Sequence, residues 1–310
     1  MNSWRKSTKK QYDSHLNKWL DFITRKSIQI SDPVSVSFVL EFLTELFEKG
    51  YSYSTINSAR SFLSCLLPPI NNVAIGSDPL IRRFMRGVFI DRPNLPRYTE
   101  TWDVSTVLSL MRDMGDNGAL SLFDLTLKLV MLLALISGQR AQTLSFLDLD
   151  NMHVYEDRIV FSVHNLVKQS RPSYHLKPIT LLAFPDKLLC VVSCINVYLS
   201  KTETFRSNEN RALLLTTQKP YRRASKDTIS RWIKTFLSKS GIDTSQFSGH
   251  STRAAASAAA RSAGIPVDNI LSHVGWSSER TFARFYDKCV SVNSTTFQSA
   301  VLCSSRSVDK

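Results

Sequence analysis

Residues 120–137 admit few folds. Read as a helix, this stretch is apolar nearly all round, which places it at the centre of a core rather than on a surface. Its longest apolar run, residues 125–136, is interrupted by Thr126 and Lys128 and is too short to span a bilayer. The expectation is a globular protein built around one buried helix, with no membrane partner.

The flanking patterns set the rest of the architecture. Within residues 7–25, Tyr12, Leu16, Trp19, Leu20 and Ile23 recur at helical spacing. Asp32-Pro33 predicts the start of a second helix, through Phe38, Phe42, Leu43, Leu46 and Phe47 to Gly50. Ser54 is the expected cap of a third, ended by Pro68-Pro69. Asp78-Pro79 opens a fourth, with Leu80, Phe84 and Val88 expected inward and Arg82, Arg83 and Arg86 outward. Residues 91–101, with two prolines and two arginines, read as a connector. Beyond it come a helix from about Val104, the buried helix, and a strand carrying Ile159, Phe161 and Val163. A second strand over 174–181 follows a turn at residues 168–172. Helices are predicted over 185–199, 228–239, 251–263, 266–273 and 280–287. The fold class is mainly α with a small antiparallel β-sheet (α+β). The organisation is an all-α domain at 1–91, a linker at 92–101, a larger domain at 102–290 and a tail at 291–310.

Charge narrows the class of partner. Net charge is +13, with 14 basic against 8 acidic residues through Arg97 and 25 against 18 beyond it. Both halves are positive, as a two-sided grip on a polyanion requires. The five cysteines form no CxxC pair, and Cys190 and Cys194 stand four apart in an apolar segment, so reduced core thiols in an intracellular compartment are expected. Near the N-terminus, Trp4, Arg5, Lys6, Lys9 and Lys10 replace the apolar stretch of a secretion signal.

Residues 248–288 gather chemistry suited to a phosphodiester. Attack on that group without a metal requires neutralising two non-bridging oxygens, supplying a nucleophile and protonating the leaving oxygen. Arg140 and Arg253 suit the first task, because a guanidinium donates two parallel hydrogen bonds and stays charged. His250 stands three residues before Arg253 at the start of a helix whose alanine run, residues 254–260, allows close packing. Tyr286 offers a hydroxyl nucleophile and Trp276 an indole donor. Lys168, at the expected hairpin tip, suits a general acid, with Lys177 as the competing lysine. Each residue also has a bland reading: cap histidine, surface arginine, core aromatic, solvated lysine.

Taken in order, Arg140, Lys168, His250-x-x-Arg253, Trp276 and Tyr286 resemble the catalytic set of the tyrosine recombinases, the phage integrase family. The resemblance covers nearly the whole chain. Residues 1–91 resemble that family's four-helix core-binding domain, and Ser137-Gly138-Gln139-Arg140 the segment bearing its first arginine. Gly249-His250-Ser251-Thr252-Arg253 through Gly275-Trp276 is Cre-like, with tryptophan where histidine is commoner. Val167-Lys168-Gln169-Ser170-Arg171-Pro172 and residues 275–286 are similar to recombinases of DIRS/Ngaro-type retrotransposons and Cryptons. The sequence departs from the family pattern in two places. Trp276 and Tyr286 are one residue further apart than usual, which keeps His273 as the reserve for Trp276. Thr143 also stands where an acidic residue is common.

The resemblance implies a two-domain DNA clamp acting on double-stranded DNA without cofactor or metal. Tyr286 would form a 3′-phosphotyrosyl link, with Arg140, Arg253, His250 and Trp276 holding the phosphate and Lys168 protonating the leaving 5′-oxygen. It further implies a tetramer on two DNA sites, monomeric or weakly associated when free, with residues 291–310 docking on a neighbour. Action in the nucleus, on behalf of a mobile element, follows from the eukaryotic-element likeness. Two other readings stand beside it: a type IB topoisomerase-like relaxing activity, and a domesticated, inactive DNA-binding protein.

Overall fold

A computed structural model of the chain describes residues 4–29, 32–70, 72–95, 98–168, 170–172, 174–207, 209–276, 279–285 and 288. The chain divides into two compact units, Met1–Pro96 and Arg97–Lys310.

The first unit holds helices α1 (Lys6–Arg25), α2 (Val36–Glu48), α3 (Tyr53–Leu66) and α4 (Pro79–Asp91). Their apolar stripes meet in an aromatic centre, where Trp19 and Phe42 pack edge-on at 5.1 Å and Phe22 lies 5.3 Å from Phe42. Three local expectations are corrected. Helix α2 starts at Val36, capped by Ser35, whose Oγ accepts from Phe38 N at 3.2 Å. Asp32 instead accepts from Gln29 N, upstream of the helix. In α3 the cap is Ser52, accepting from Thr55 N, so Ser54 lies inside the first turn. In α4, Asp78 and Pro79 act as expected, Asp78 Oδ1 accepting from Leu80 N at 2.8 Å. The buried face, however, is Ile81, Met85 and Val88, while Leu80 is 54% exposed and Phe84 half-buried. Positions i, i+4 and i+7 from Ile81 give a straighter inward stripe than any starting at Leu80.

The second unit is wrapped around the apolar helix. Its elements are α5 (Val104–Asp113), α6 (Leu122–Ser137), α7 (Ala141–Leu144), β1 (Met152–Val154), β2 (Arg158–Phe161), β3 (Ile179–Leu182), α8 (Val191–Thr202), α9 (Lys226–Lys239), α10 (Thr252–Ser262), α11 (Val267–Val274) and α12 (Glu279–Phe285). Helix α6 packs against α8, α9 and α10, and eight consecutive residues from Leu127 to Ala134 are buried. Even Lys128 is enclosed, its Nζ donating to Gly115 O at 3.2 Å while desolvation lowers its pKa. Cys190 and Cys194 are buried free thiols; Cys190 also caps α8, its Sγ accepting from Ser193 N.

The three strands form one antiparallel sheet in the order β1-β2-β3. Register places Ile159 opposite Leu181 and Phe161 opposite Ile179, all four side chains on the buried face. The second predicted strand is shorter than residues 174–181, because Pro178 has no N–H to give a ladder. The predicted helix over 185–199 likewise begins only at Val191. The fold class is therefore mainly helical with a small antiparallel sheet. Among the described residues, no helix is long and apolar enough to cross a membrane.

Candidate active site

The site starts where α6 ends. Gly138 caps the helix in the left-handed region at φ 58°, and a Cβ there would stand 2.7 Å from Val274 Cγ2. Glycine is thus required by backbone conformation and by close approach. Gln139, buried beside it, donates from Nε2 to Val274 O at 3.2 Å and tightens the same α6–α11 junction. Arg140 follows, half-buried at the entrance to α7, with Nη1 buried and lacking a hydrogen-bond partner among the described residues. Thr143, one turn on, is 1% exposed.

A second junction holds the His250 turn. Gly249–Ser251 is a short 3-10 turn leading into α10, and a Cβ on Gly249 would meet Ser230 O of α9 at 3.0 Å. Ser251 Oγ donates to Ser248 O at 2.7 Å and accepts from Trp102 Nε1 at 2.9 Å. Arg253 then enters the core only 1% exposed, its guanidinium carbon 4.9 Å from the centre of the Trp276 ring. Trp276 packs in turn on Phe282 of α12, ring centres 5.2 Å apart. Ala254, Ala255 and Ala258 are buried, so small side chains do let α10 pack closely.

Electrostatics join these pieces. His250 has its pKa lowered to about 4, by desolvation first, then by Arg253, Arg140 and Lys168. His250 is exposed by surface area, but the surrounding protein still removes much of its hydration. The structure therefore brings together Arg140, Lys168, His250, Arg253 and Trp276. The reserve residues are engaged elsewhere. His273 Nε2 lies 2.7 Å from Ile136 O, to which it donates, and Lys177 Nζ donates to Ser272 Oγ at 3.3 Å. Tyr286 and residues 291–310 lie outside the described residues; α12 ends at Phe285, next to Tyr286. Trp102 and Gln139 were not singled out from sequence, and no local pattern marks them, since their partners lie 149 and 135 residues away.

The model of the phage integrase family matches residues 103–290. The chain belongs to the phage integrase family. Solved structures share its fold, that of the tyrosine recombinases. The integrase of transposon Tn1549 in complex with transposon right-end DNA aligns at a TM-score of 0.64 and 16% identity, covering 99% of this chain and 95% of that one. The XerH site-specific recombinase bound to palindromic difH substrate aligns at 0.61 and 12% identity, covering 96% and 79%. A lambda integrase dimer bound to a COC′ core site aligns at 0.53 and 13% identity, covering 92% and 89%. No curated protein sequence matches the chain.

Proposed function

We propose that this integrase-family chain is a site-specific DNA recombinase that cuts and rejoins strands through a 3′-phosphotyrosyl intermediate. The observation that carries the reading is the convergence of Arg140, Arg253 and Lys168 on His250, where all three add to the desolvation that does most to lower the imidazole pKa. Such a cluster suits a group bearing two negative oxygens. In the proposed reaction Tyr286 attacks the scissile phosphate. Arg140, Arg253, His250 and Trp276 hold the non-bridging oxygens, and Lys168 protonates the departing 5′-oxygen. A 5′-hydroxyl of another strand reverses the step, so the bond energy is kept without ATP or metal.

The engagement of His273 with Ile136 and of Lys177 with Ser272 favours Trp276 and Lys168 for these roles. Residues 1–91 are proposed as the core-binding module, residues 92–101 as the linker, and residues 291–310 as a segment docking on a neighbouring protomer. The DNA-bound state of the Tn1549, XerH and lambda relatives supports duplex DNA as partner. A tetramer on two sites, a mobile-element origin and nuclear action complete the proposal.

The test begins with duplexes of randomised centre carrying a nick just 3′ of the cleavage position, so that the short fragment bearing the new 5′-hydroxyl is lost and the strand cannot religate. The full chain should leave covalent DNA after denaturation, and sequencing that DNA should reveal a preferred site. Two copies of the site in one plasmid should then yield deletion or inversion products. Relaxed circles without exchange would favour a topoisomerase, and binding without any covalent DNA an inactive binder.

A further inference from the structure

We infer that Ser170 and His175 are positioning residues that set the Lys168 ammonium for protonation of the leaving oxygen. The inference rests on the general-acid role proposed for Lys168. Lys168 is exposed, in the long β2–β3 connection, between buried Val167 and buried Ser170. An exposed lysine on a loop spends most of its time dispersed among rotamers, and a general acid must instead stand within hydrogen-bond reach of one atom. The backbone beneath it therefore has to be fixed.

A relay of hydrogen bonds fixes it. Val167 N donates to Ser170 Oγ at 3.1 Å, and Ser170 N donates to Val167 O at 3.0 Å, closing a turn across Lys168. Ser170 Oγ lies 3.1 Å from His175 Nδ1, and His175 Nε2 lies 2.5 Å from Val163 O. A carbonyl only accepts, so Nε2 carries the hydrogen, and in the neutral ring Nδ1 then accepts from Ser170 Oγ. The serine hydroxyl thus has one fixed role toward the backbone and one toward the ring. Arg171 and Tyr174 pair through their backbones in both directions at 3.0 Å, which brings His175 back over Ser170. The far end is tied to Val163, just beyond strand β2, so the turn bearing Lys168 inherits the register of the sheet. No part of this relay belongs to the cluster around His250, and neither Ser170 nor His175 needs to touch DNA.

In the step concerned, Tyr286 Oη bonds to phosphorus and the phosphorus–O5′ bond breaks. Its electron pair stays on O5′, which takes a proton from Lys168 Nζ, while the phenolic proton passes to solvent. Replacing O5′ by sulfur yields a thiolate that departs without protonation, because a thiol is far more acidic than an alcohol.

The experiment compares covalent cleavage of the selected duplex with its 5′-bridging phosphorothiolate counterpart, using the full chain, Lys168→Ala, Ser170→Ala and His175→Ala. Loss of a general acid costs about 10²- to 10⁴-fold on oxygen, which Lys168→Ala should show and sulfur should restore. Displacing the acid by a fraction of its reach should cost Ser170→Ala and His175→Ala about 10- to 100-fold on oxygen, with wild-type rates on sulfur. Equal losses on both substrates would mean a merely structural role and overturn the inference. So would unchanged cleavage on oxygen. If sulfur fails to restore Lys168→Ala, the general-acid role itself falls, and the positioning role with it.

Discussion

Trp102 Nε1 donates to Ser251 Oγ at 2.9 Å across 149 residues of sequence, both residues buried. Ser251 lies between His250 and Arg253, so an indole just before α5 sets the angle at which the α10 turn presents them. Trp102→Phe keeps most of the ring and removes the donor. The expected cost is about 1 kcal/mol, or a Tm lowered by roughly 2–4 °C, with reduced cleavage on the selected site. Thermal denaturation alongside covalent trapping checks both effects, and an unchanged variant would detach Trp102 from the site.

His250 should titrate near pH 4 in the free protein, read by NMR of its ring nitrogens. Arg140→Gln removes one cation and should raise that value. It should not restore the ordinary one near 6.5, because desolvation is the largest cause. The linkage has a definite sign. Between about pH 6.5 and 4 the unfolded chain binds the proton more readily than the folded one, so stability should fall as pH drops through that window. Histidine titration at its ordinary value would contradict the cation cluster.

Gly138→Ala should be among the costliest glycine substitutions. The left-handed φ of 58° costs an L-residue about 1–2 kcal/mol, and the new methyl would also meet Val274. Gly241→Ala, left-handed at φ 78° but with open space around it, serves as the control and should lose less in urea denaturation.

Helix α4 presents Arg82, Arg83 and Arg86 to solvent, and with Tyr53, Arg60 and Phe89 they line an open cleft of about 590 Å³. If these arginines contact phosphates, Arg82→Gln should weaken duplex binding and flatten the plot of log affinity against log salt by about one unit of slope. Fluorescence anisotropy across a salt series measures it, and an unchanged slope would assign Arg82 to solvated surface.

Much of this was legible in the sequence wherever the controlling physics is local. The buried course of α6, the Asp78-Pro79 start of α4 and the Ile159/Phe161 face of β2 follow from patterns a few residues long. The caps of α2 and α3 were misplaced because Ser35 and Ser52 compete with Asp32 and Ser54, which are chemically as suitable. Helix α7, at four residues, and β1, at three, are too short to show a period. Arg140, Lys168, His250 and Arg253 could be singled out, but not what holds them: Gln139 to Val274 and Trp102 to Ser251 are tertiary bonds across more than a hundred residues, and Ser170 to His175 is a bond within an irregular loop that shows no period.

Tyr286 is the residue proposed to carry the DNA. Covalent complexes of the full chain with its selected nicked duplex, digested with trypsin and nuclease, should give one peptide bearing a nucleotide on Tyr286. Tyr286→Phe should give none while binding the duplex as tightly. A nucleotide on another residue, or an adduct that persists in the phenylalanine variant, would contradict the account.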